Sequence, residues 1–226
     1  MNLLREFLAT VGIDLTPEME ERFEEFQTKL YEVNQVMNLT RISQDDCEVR
    51  HFIDSLLFVD LFPQGAKVLD IGFGAGFPSW PLACARPDLT VVGIDAHQKS
   101  VSFLSSVPLP NLGLECGRAE DMRVTEAFDV VTGRAVAPLS AQLEISARPC
   151  KIGGHILPLR GPSDIFEIDR LGQPFECEAL GLALSETVQR QLYGSDATRV
   201  LPIFKKVTKT QPGFPRPWGI IKKKPV

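Results

Sequence analysis

The sequence predicts an α/β fold: a mostly parallel sheet that follows a helical N-terminal segment. Three observations lead there. The first sixty residues place apolar side chains at helical spacing. From Lys67 onward, short β-branched runs alternate with helical stretches. The first of those runs ends in a glycine-rich turn, Gly72-Phe-Gly-Ala-Gly76. Alternation of strand and helix implies parallel strands with helices on both faces. The 226 residues suit one compact domain or a domain with a small appendage, and 44% hydrophobic with 23% charged residues is ordinary for a globular chain. A chain of this size builds its core without disulfide staples.

Leu3, Leu4, Phe7, Leu8 and Val11 form the stripe of a first helix that Gly12 stops. Thr16-Pro17-Glu18 starts a second: a hydroxyl cap, proline at the first helical position, then an acid near the positive helix end. Met19, Phe23, Phe26, Leu30 and Val33 are its buried face, and Asn34–Thr40 reads as a polar loop. Ser43 caps a third helix with Val49, Phe52, Ile53, Leu56 and Leu57 inward. Strands follow at Lys67–Ile71, Val91–Asp95, Leu114–Cys116, Phe128–Thr132 and Gly154–Leu159, the end of the last in question because Pro158 cannot donate to a central ladder. Helices are expected at His97–Val107, Leu139–Ala147 and Ser163–Leu171, and a closing antiparallel pair at Glu178–Leu184 and Val200–Val207.

Charge is unevenly spread. The net −5 divides into eight basic and no acidic residues over 199–226, against 16 basic and 29 acidic residues elsewhere, a balance of −13. Such a segment is either a nucleic-acid arm or a solvated tail. Its cations are Arg199, Lys205, Lys206, Lys209, Arg216, Lys222, Lys223 and Lys224. The five cysteines lie more than four residues apart, which argues against a zinc site and fits a reducing cytoplasm. No signal peptide, membrane span or metal site is expected, and without a sustained heptad pattern a monomer is.

Asp70-Ile-Gly72-Phe-Gly74-Ala-Gly76-Phe77-Pro78 follows a strand and precedes a helix, the context a ligand loop needs. A dinucleotide fingerprint would put its third glycine at position 77, which is Phe77. Pro78 has no N–H to offer a pyrophosphate, and Asp70 would repel one while suiting an ammonium. S-Adenosylmethionine has an amino-acid end, a sulfonium and no phosphate. Asp95 ends the next strand, where a carboxylate can accept from both ribose hydroxyls. Ala119 and Glu120 sit where a loop reaches the adenine, although acid there also fits an ordinary helix start.

After the fourth strand, Thr132-Gly-Arg134-Ala-Val-Ala-Pro138 lacks the Asn/Asp-Pro-Pro-aromatic element of amino-directed DNA methyltransferases, and no cysteine pair is placed to attack a pyrimidine. What remains is a target with an exposed lone pair, such as guanine N7, which needs positioning and charge handling rather than a general base. Arg134 is either an orienting group for cofactor or phosphate or a surface arginine. His51 and Asp54, three apart on a helix, share a face as a structural pair or a functional one.

Several segments together resemble the bacterial small-subunit ribosomal RNA guanine-N7 methyltransferases, the glucose-inhibited division protein B family. They are Met37-Asn38-Leu-Thr40, Arg50-His51-Phe-Ile-Asp54-Ser-Leu56, the Asp70–Pro78 loop, Ala85-Arg-Pro-Asp88, Gly117-Arg-Ala-Glu120, Arg134-Ala-Val-Ala137 and Lys151-Ile-Gly-Gly154, in order over about residues 20–165. The resemblance implies a Rossmann-like class I S-adenosylmethionine-dependent methyltransferase with a seven-stranded, mostly parallel sheet. It divides the chain into a helical N-terminal cap (1–62), the methyltransferase domain (63–208) and a basic, proline-rich tail (209–226). It also implies methyl transfer to N7 of a guanine in the 530 loop of 16S ribosomal RNA, as RNA or within the small subunit. By motif position Gly72, Phe77, Ala119, Glu120 and Arg134 contact the cofactor, and Asn38, His51 and Asp54 line the cleft mouth. His51, Asp54 and Arg134 are the candidates nearest the chemistry, and Asn38, Arg160, Arg199, Lys205, Lys206, Arg216, Lys222, Lys223 and Lys224 are the expected RNA contacts. Phe73, Ser79, Trp80 and Arg160 depart from the family's commoner residues. Two other readings stay open: a class I methyltransferase acting on a small molecule or protein, and a non-catalytic RNA-binding module.

Overall fold

The computed structural model describes residues 1–170, 176–224 and 226. Helix α1 (Asn2–Thr10) buries Leu4, Phe7 and Leu8. Helix α2 (Pro17–Met37) begins as expected, with Pro17 in its first turn and the Thr16 hydroxyl accepting from Met19 N at 3.3 Å. It runs just over one turn further than expected, into the segment read as a loop, and stops at Asn38 in the left-handed region (φ +50). Asn34 is the reason. Its Oδ1 accepts from Leu39 N (2.6 Å) and Thr40 N (2.8 Å) while its Nδ2 donates to Thr40 O, so a side chain inside the helix closes the turn after it.

The third helix is π-helical over Glu48–Ile53 and continues as the short α3 (Asp54–Leu56). Ser43 does make a capping contact, accepting from Asp46 N. A π turn is rare and is found mostly at functional sites; this one carries His51 to the threshold of Asp54.

Eight strands form one sheet in the order β3-β2-β1-β4-β5-β8-β7-β6. They are β1 Lys67–Ile71, β2 Thr90–Asp95, β3 Leu112–Cys116, β4 Phe128–Arg134, β5 Cys150–Leu159, β6 Glu176–Cys177, β7 Leu182–Gln191 and β8 Thr198–Lys206. The pairs among β1–β5 are parallel, and β8, β7 and β6 add on antiparallel. The expected seven strands are thus present, and the two-residue β6 extends the edge. The closing pair is displaced from its predicted place: β7 begins at Leu182, because Glu178–Gly181 is a turn closed by Gly181 N donating to Glu178 O. Strand β5 runs through Pro158. Its ladder to β8 lapses between Ile156↔Phe204 and the Arg160↔Val200 bridge, and both Pro158 and Pro202 fall in that gap. Of the helices between strands, α4 (Ser79–Ala85), α5 (Gln98–Ser105) and α6 (Leu139–Ala147) lie between β1 and β5. Helix α7 covers Ile165–Arg170 after a 3₁₀ turn at Pro162–Asp164; the predicted last residue of that helix, Leu171, lies outside the described residues.

Strand pleating divides the core in two. Val68, Val91, Val130 and Leu157 face α1–α5, whereas Leu69, Ile71, Val131 and Ile156 face α6 and the tail. On the first side Phe23, Phe26, Phe52, Phe77, Trp80 and Phe103 form a continuous edge-to-face and tilted ring cluster, welding α2 to the glycine loop. Beyond β8 the tail folds back on the second side. Short helix α8 (Trp218–Ile221) buries Ile221 completely, and Arg216 donates through Nε and Nη2 to the fully buried Glu144 carboxylate of α6.

Candidate functional site

Strand order reverses at β1, between β2 and β4, and ligands of open α/β sheets bind beyond the strand ends at such a point. Two cavities lie there. The first, about 400 Å³, is lined by Gly72 and Gly74 after β1, Ile94–His97 after β2, Gly117–Glu120 after β3, Ala135 and Val136 after β4, Ile145 of α6 and Trp218. Asp95 braces the glycine loop, its Oδ2 accepting from Gly74 N and its Oδ1 from His97 N, both at 2.8 Å. A carboxylate oxygen keeps a second lone pair for a hydroxyl. At Gly74 (φ +56), which lines this cavity, a Cβ would meet no protein atom within 4 Å. The cations on this wall do not form a phosphate cradle: Arg118 is 3.5 Å from Glu120, and the His97 ring is against Asp95. The donor set therefore fits a phosphate-free nucleoside whose ribose meets Asp95 and whose base lies toward Ala119 and Glu120.

The structure places Gly72, Gly74, Asp95, Ala119 and Glu120 on this wall, but not Asp70, Gly76, Phe77 or Arg134. Asp70 corrects the expectation of an ammonium partner. It shares the pleat face of Val68, away from the cavity-lining Ile71, and is fully buried. Its Oδ2 accepts from the Ser79 N–H at 2.9 Å and from the Ser79 hydroxyl, tying the start of α4 to β1. Burial pushes its carboxyl up to about 7. Ser79 thus supplies both hydrogen bonds to that oxygen. Gly76 is a packing position, where a Cβ would come 2.7 Å from Leu104 Cδ1. Phe77 belongs to the ring cluster and stacks on the His51 imidazole, 4.0 Å between centroids.

The second cavity, about 440 Å³, adjoins the first at Ala135. Arg50, Arg134, Arg160, Arg199, Asp54 and Asp164 supply its charge, and Ile42, Phe58 and Leu159 its apolar wall. Asp54 sits at the centre: Oδ1 accepts from Arg199 Nε at 2.6 Å and Oδ2 from Arg134 Nη1 at 3.1 Å. Arg134 also donates to Arg50 O and lies 3.2 Å from His51 Nδ1, with its guanidinium over the Phe77 ring. Because a guanidinium only donates, His51 Nδ1 accepts, and the Nε2 proton goes to Thr40 Oγ1 at 2.8 Å. Burial and the neighbouring Arg134 and Arg50 charges pull the imidazole down to about 3. His51 is a neutral brace with both nitrogens engaged and is not available as a general base. Ala135, between the cavities, holds the left-handed conformation at φ +54, a strain that non-glycine residues adopt mainly at functional positions.

That assignment has a stability consequence. Between pH 3 and its ordinary 6.5, His51 takes up a proton in the unfolded chain but not in the folded one. Its contribution is therefore complete above pH 6.5 and declines as the pH falls toward 3. His51→Gln is expected to flatten the loss of stability between pH 6 and 4.5 by close to one proton's slope, about 1.4 kcal/mol per pH unit. Urea denaturation at a series of pH values measures it, and equal slopes in the two proteins would reject the neutral-brace role.

Among the expected RNA contacts, Lys205 and Lys222–Lys224 are exposed, as is Asn38. Three others are not free surface cations, which corrects the reading of 199–226 as a loose arm. Lys206 is completely buried, its ammonium donating to Leu180 O and Thr210 Oγ1. Arg216 is spent on Glu144. Arg199 is held by Asp54 inside the second cavity. Arg160 is 6% exposed and donates to Ala137 O and Gln142 Oε1, both at 2.8 Å, so it shapes the cavity wall more than it presents a charge. Sequence reasoning missed Trp218, His97, Arg118, Arg50 and Ala135 as lining residues; for Trp218 the available signal was apolar Phe214, Trp218 and Ile221 inside a segment read for its charge.

A glycine loop at the switch point, a bracing acid across it and a cavity without a phosphate cradle define a class I S-adenosylmethionine-dependent methyltransferase. Solved structures share that fold. M. jannaschii TYW2 in complex with AdoMet superposes at TM-score 0.56 with 20% identity, over 74% of this chain and 79% of that one. The TehB-like SAM-dependent methyltransferase of Corynebacterium glutamicum gives 0.50 with 18% identity, over 69% and 88%. The chain belongs to the family GidB, rRNA small subunit methyltransferase G, which it matches over residues 19–192. It is 38% identical to the ribosomal RNA small subunit methyltransferase G of Lactobacillus delbrueckii subsp. bulgaricus, over 99% of this chain and 98% of the relative. With the protein of the same name from Clostridium beijerinckii it shares 34% identity, over 100% and 98%. No helix among the described residues is long and apolar enough to cross a membrane.

Proposed function

We propose that the protein transfers a methyl group from S-adenosylmethionine to N7 of a guanine in the 530 loop of 16S ribosomal RNA, presented by the RNA or the small subunit. The observation that carries this reading is a pair of adjoining cavities beside which Asp54 and His51 are both already engaged. Asp54 has both oxygens on arginines and His51 both nitrogens in hydrogen bonds. Neither side chain is held ready to take a proton from a target, and N7 of guanine, with its lone pair in the ring plane, loses none. S-Adenosylmethionine, when bound, supplies an electrophilic methyl group on a sulfonium.

The chain's own work is then placement and charge. Gly72, Gly74, Asp95, Ala119 and Glu120 hold the cofactor. Arg134, fixed by Asp54, Arg50 O and His51, lines the second cavity and directly precedes Ala135, where the two cavities adjoin. Arg50, Arg134 and Arg199 set a positive field suited to the nucleotide's phosphates. The exposed Lys205, Lys209 and Lys222–Lys224 extend it outward, and the protein acts as a monomer with the helices of residues 1–62 capping the 63–208 methyltransferase domain.

The test is methyl transfer from tritiated cofactor to small subunits that lack the modification, with the modified base mapped afterwards. Label on guanine N7 in the 530 loop is expected. Label on another base or on protein replaces this target. RNA binding should also fall steeply with salt, by about 10³-fold between 50 and 200 mM if some six phosphates are contacted.

A further inference from the structure

We propose that Trp218 is a positioning residue for the cofactor's nucleobase, delivered to the cavity by the folded-back C-terminal segment. The inference rests on reading that cavity as the S-adenosylmethionine site. Trp218 shares the wall with Arg118–Glu120 after β3 and with Ile145 of α6, which is the base end of a nucleoside whose ribose meets Asp95. A half-buried indole offers a flat π face there, and Ile94, Ala119 and Ile145 add apolar surface. A planar purine fits between them.

The indole is not on a loose end. Arg216, two residues before it, donates from its backbone N, its Nε and its Nη2 to the buried Glu144 carboxylate, at 2.9, 2.8 and 2.6 Å. Glu144 precedes Ile145, so the residue that anchors the segment and one that walls the cavity are consecutive on α6. Ile221, three residues beyond Trp218, is completely buried in the core on that side of the sheet. Upstream, Gln211 N donates to Ala179 O at 2.9 Å and Lys206 to Thr210 Oγ1. Anchors on both sides of Trp218 place the ring before any ligand arrives, which spares the ordering cost of binding.

The chain's other tryptophan, Trp80, is sealed in the ring cluster, so a ligand-dependent change in indole emission reports Trp218. Titration of the full-length protein with S-adenosylhomocysteine is expected to quench or shift that emission, and Trp218→Phe to abolish the signal while calorimetry still gives an affinity within about threefold of the original. Trp218→Ala should weaken both S-adenosylhomocysteine and methylthioadenosine by about tenfold, the effect of removing one ring from a base stack. Because methylthioadenosine lacks the amino-acid end, an equal loss on both ligands locates the contact at the nucleoside. Wild-type affinity for both ligands in Trp218→Ala overturns the proposal while leaving the cavity assignment intact. A loss for S-adenosylhomocysteine alone overturns it too, by moving the indole to the other end. If the unaltered protein binds neither ligand, the cavity assignment fails and the proposal with it. The phenylalanine variant keeps the test meaningful should the alanine variant fold poorly.

Discussion

Gly74→Val is expected to weaken S-adenosylmethionine binding by about 100-fold or more, equivalent to roughly 2.7 kcal/mol. Gly74 holds φ +56, a region that β-branched residues enter only at a cost of about 1–2 kcal/mol. No protein atom lies within 4 Å of the new Cβ, so the valine adds its bulk to the open wall that Gly74 gives the cavity. Any relaxation of the loop to relieve φ pulls Gly74 N away from Asp95 Oδ2, the bond that couples loop and acid. Both escapes harm the ligand site, and the fold is left with only the backbone strain. Gly76→Ala provides the contrast. Its methyl collides with Leu104 and Phe26 in the core, so the variant should lose thermal stability and retain cofactor affinity in whatever fraction is folded. Calorimetric titration of the two variants checks the pair; undiminished affinity in Gly74→Val refutes the placement of the ligand over this loop.

The second large effect is expected at Asp54. Removing its carboxylate in Asp54→Ala leaves Arg134 and Arg199, with side chains 17% and 22% exposed, facing one another without a counter-charge. Breaking a largely buried pair by removing one partner costs about 3–5 kcal/mol. For a chain of this length that is a fall in melting temperature of roughly 6–20 °C. Methyl transfer should collapse as well, because Arg134 loses the contact that orients it. Removing one of the stranded cations relieves the repulsion, so Asp54→Ala combined with Arg199→Met should be less destabilised than the sum of the two single changes. Additivity of the two within about 0.5 kcal/mol in denaturant unfolding would show that Asp54 does not couple the arginines.

What the sequence disclosed follows the range of the forces involved. Pleating and helical periodicity are local, so the strands through β5 and helix α6, Leu139–Ala147, could be read directly. The glycine loop and Asp95 were legible because each marks a strand end. Side-chain direction was harder. Asp70 looked like a ligand group until its place in the pleat turned it toward Ser79; Lys206 looked like a free cation until Leu180 O and Thr210 closed on it, and Arg216 until the tail folded against α6. Each reversal depends on a contact more than seventy residues away or across a turn that spacing alone does not specify. Asn34 is a subtler case: its amide closes α2 through hydrogen bonds to residues five and six further on, where loop-forming composition had pointed to a break.

Ala135 has a further consequence. A single residue in a left-handed bend is common to the walls of the two chambers, so each occupant is held by its own set of side chains. Steady-state kinetics should then show no compulsory order of addition: the nucleoside by-product can depart while the methylated nucleotide is still seated, and fresh cofactor can enter behind it. Turnover on a bulky ribosomal particle would not have to wait for that particle to leave before the enzyme recharges.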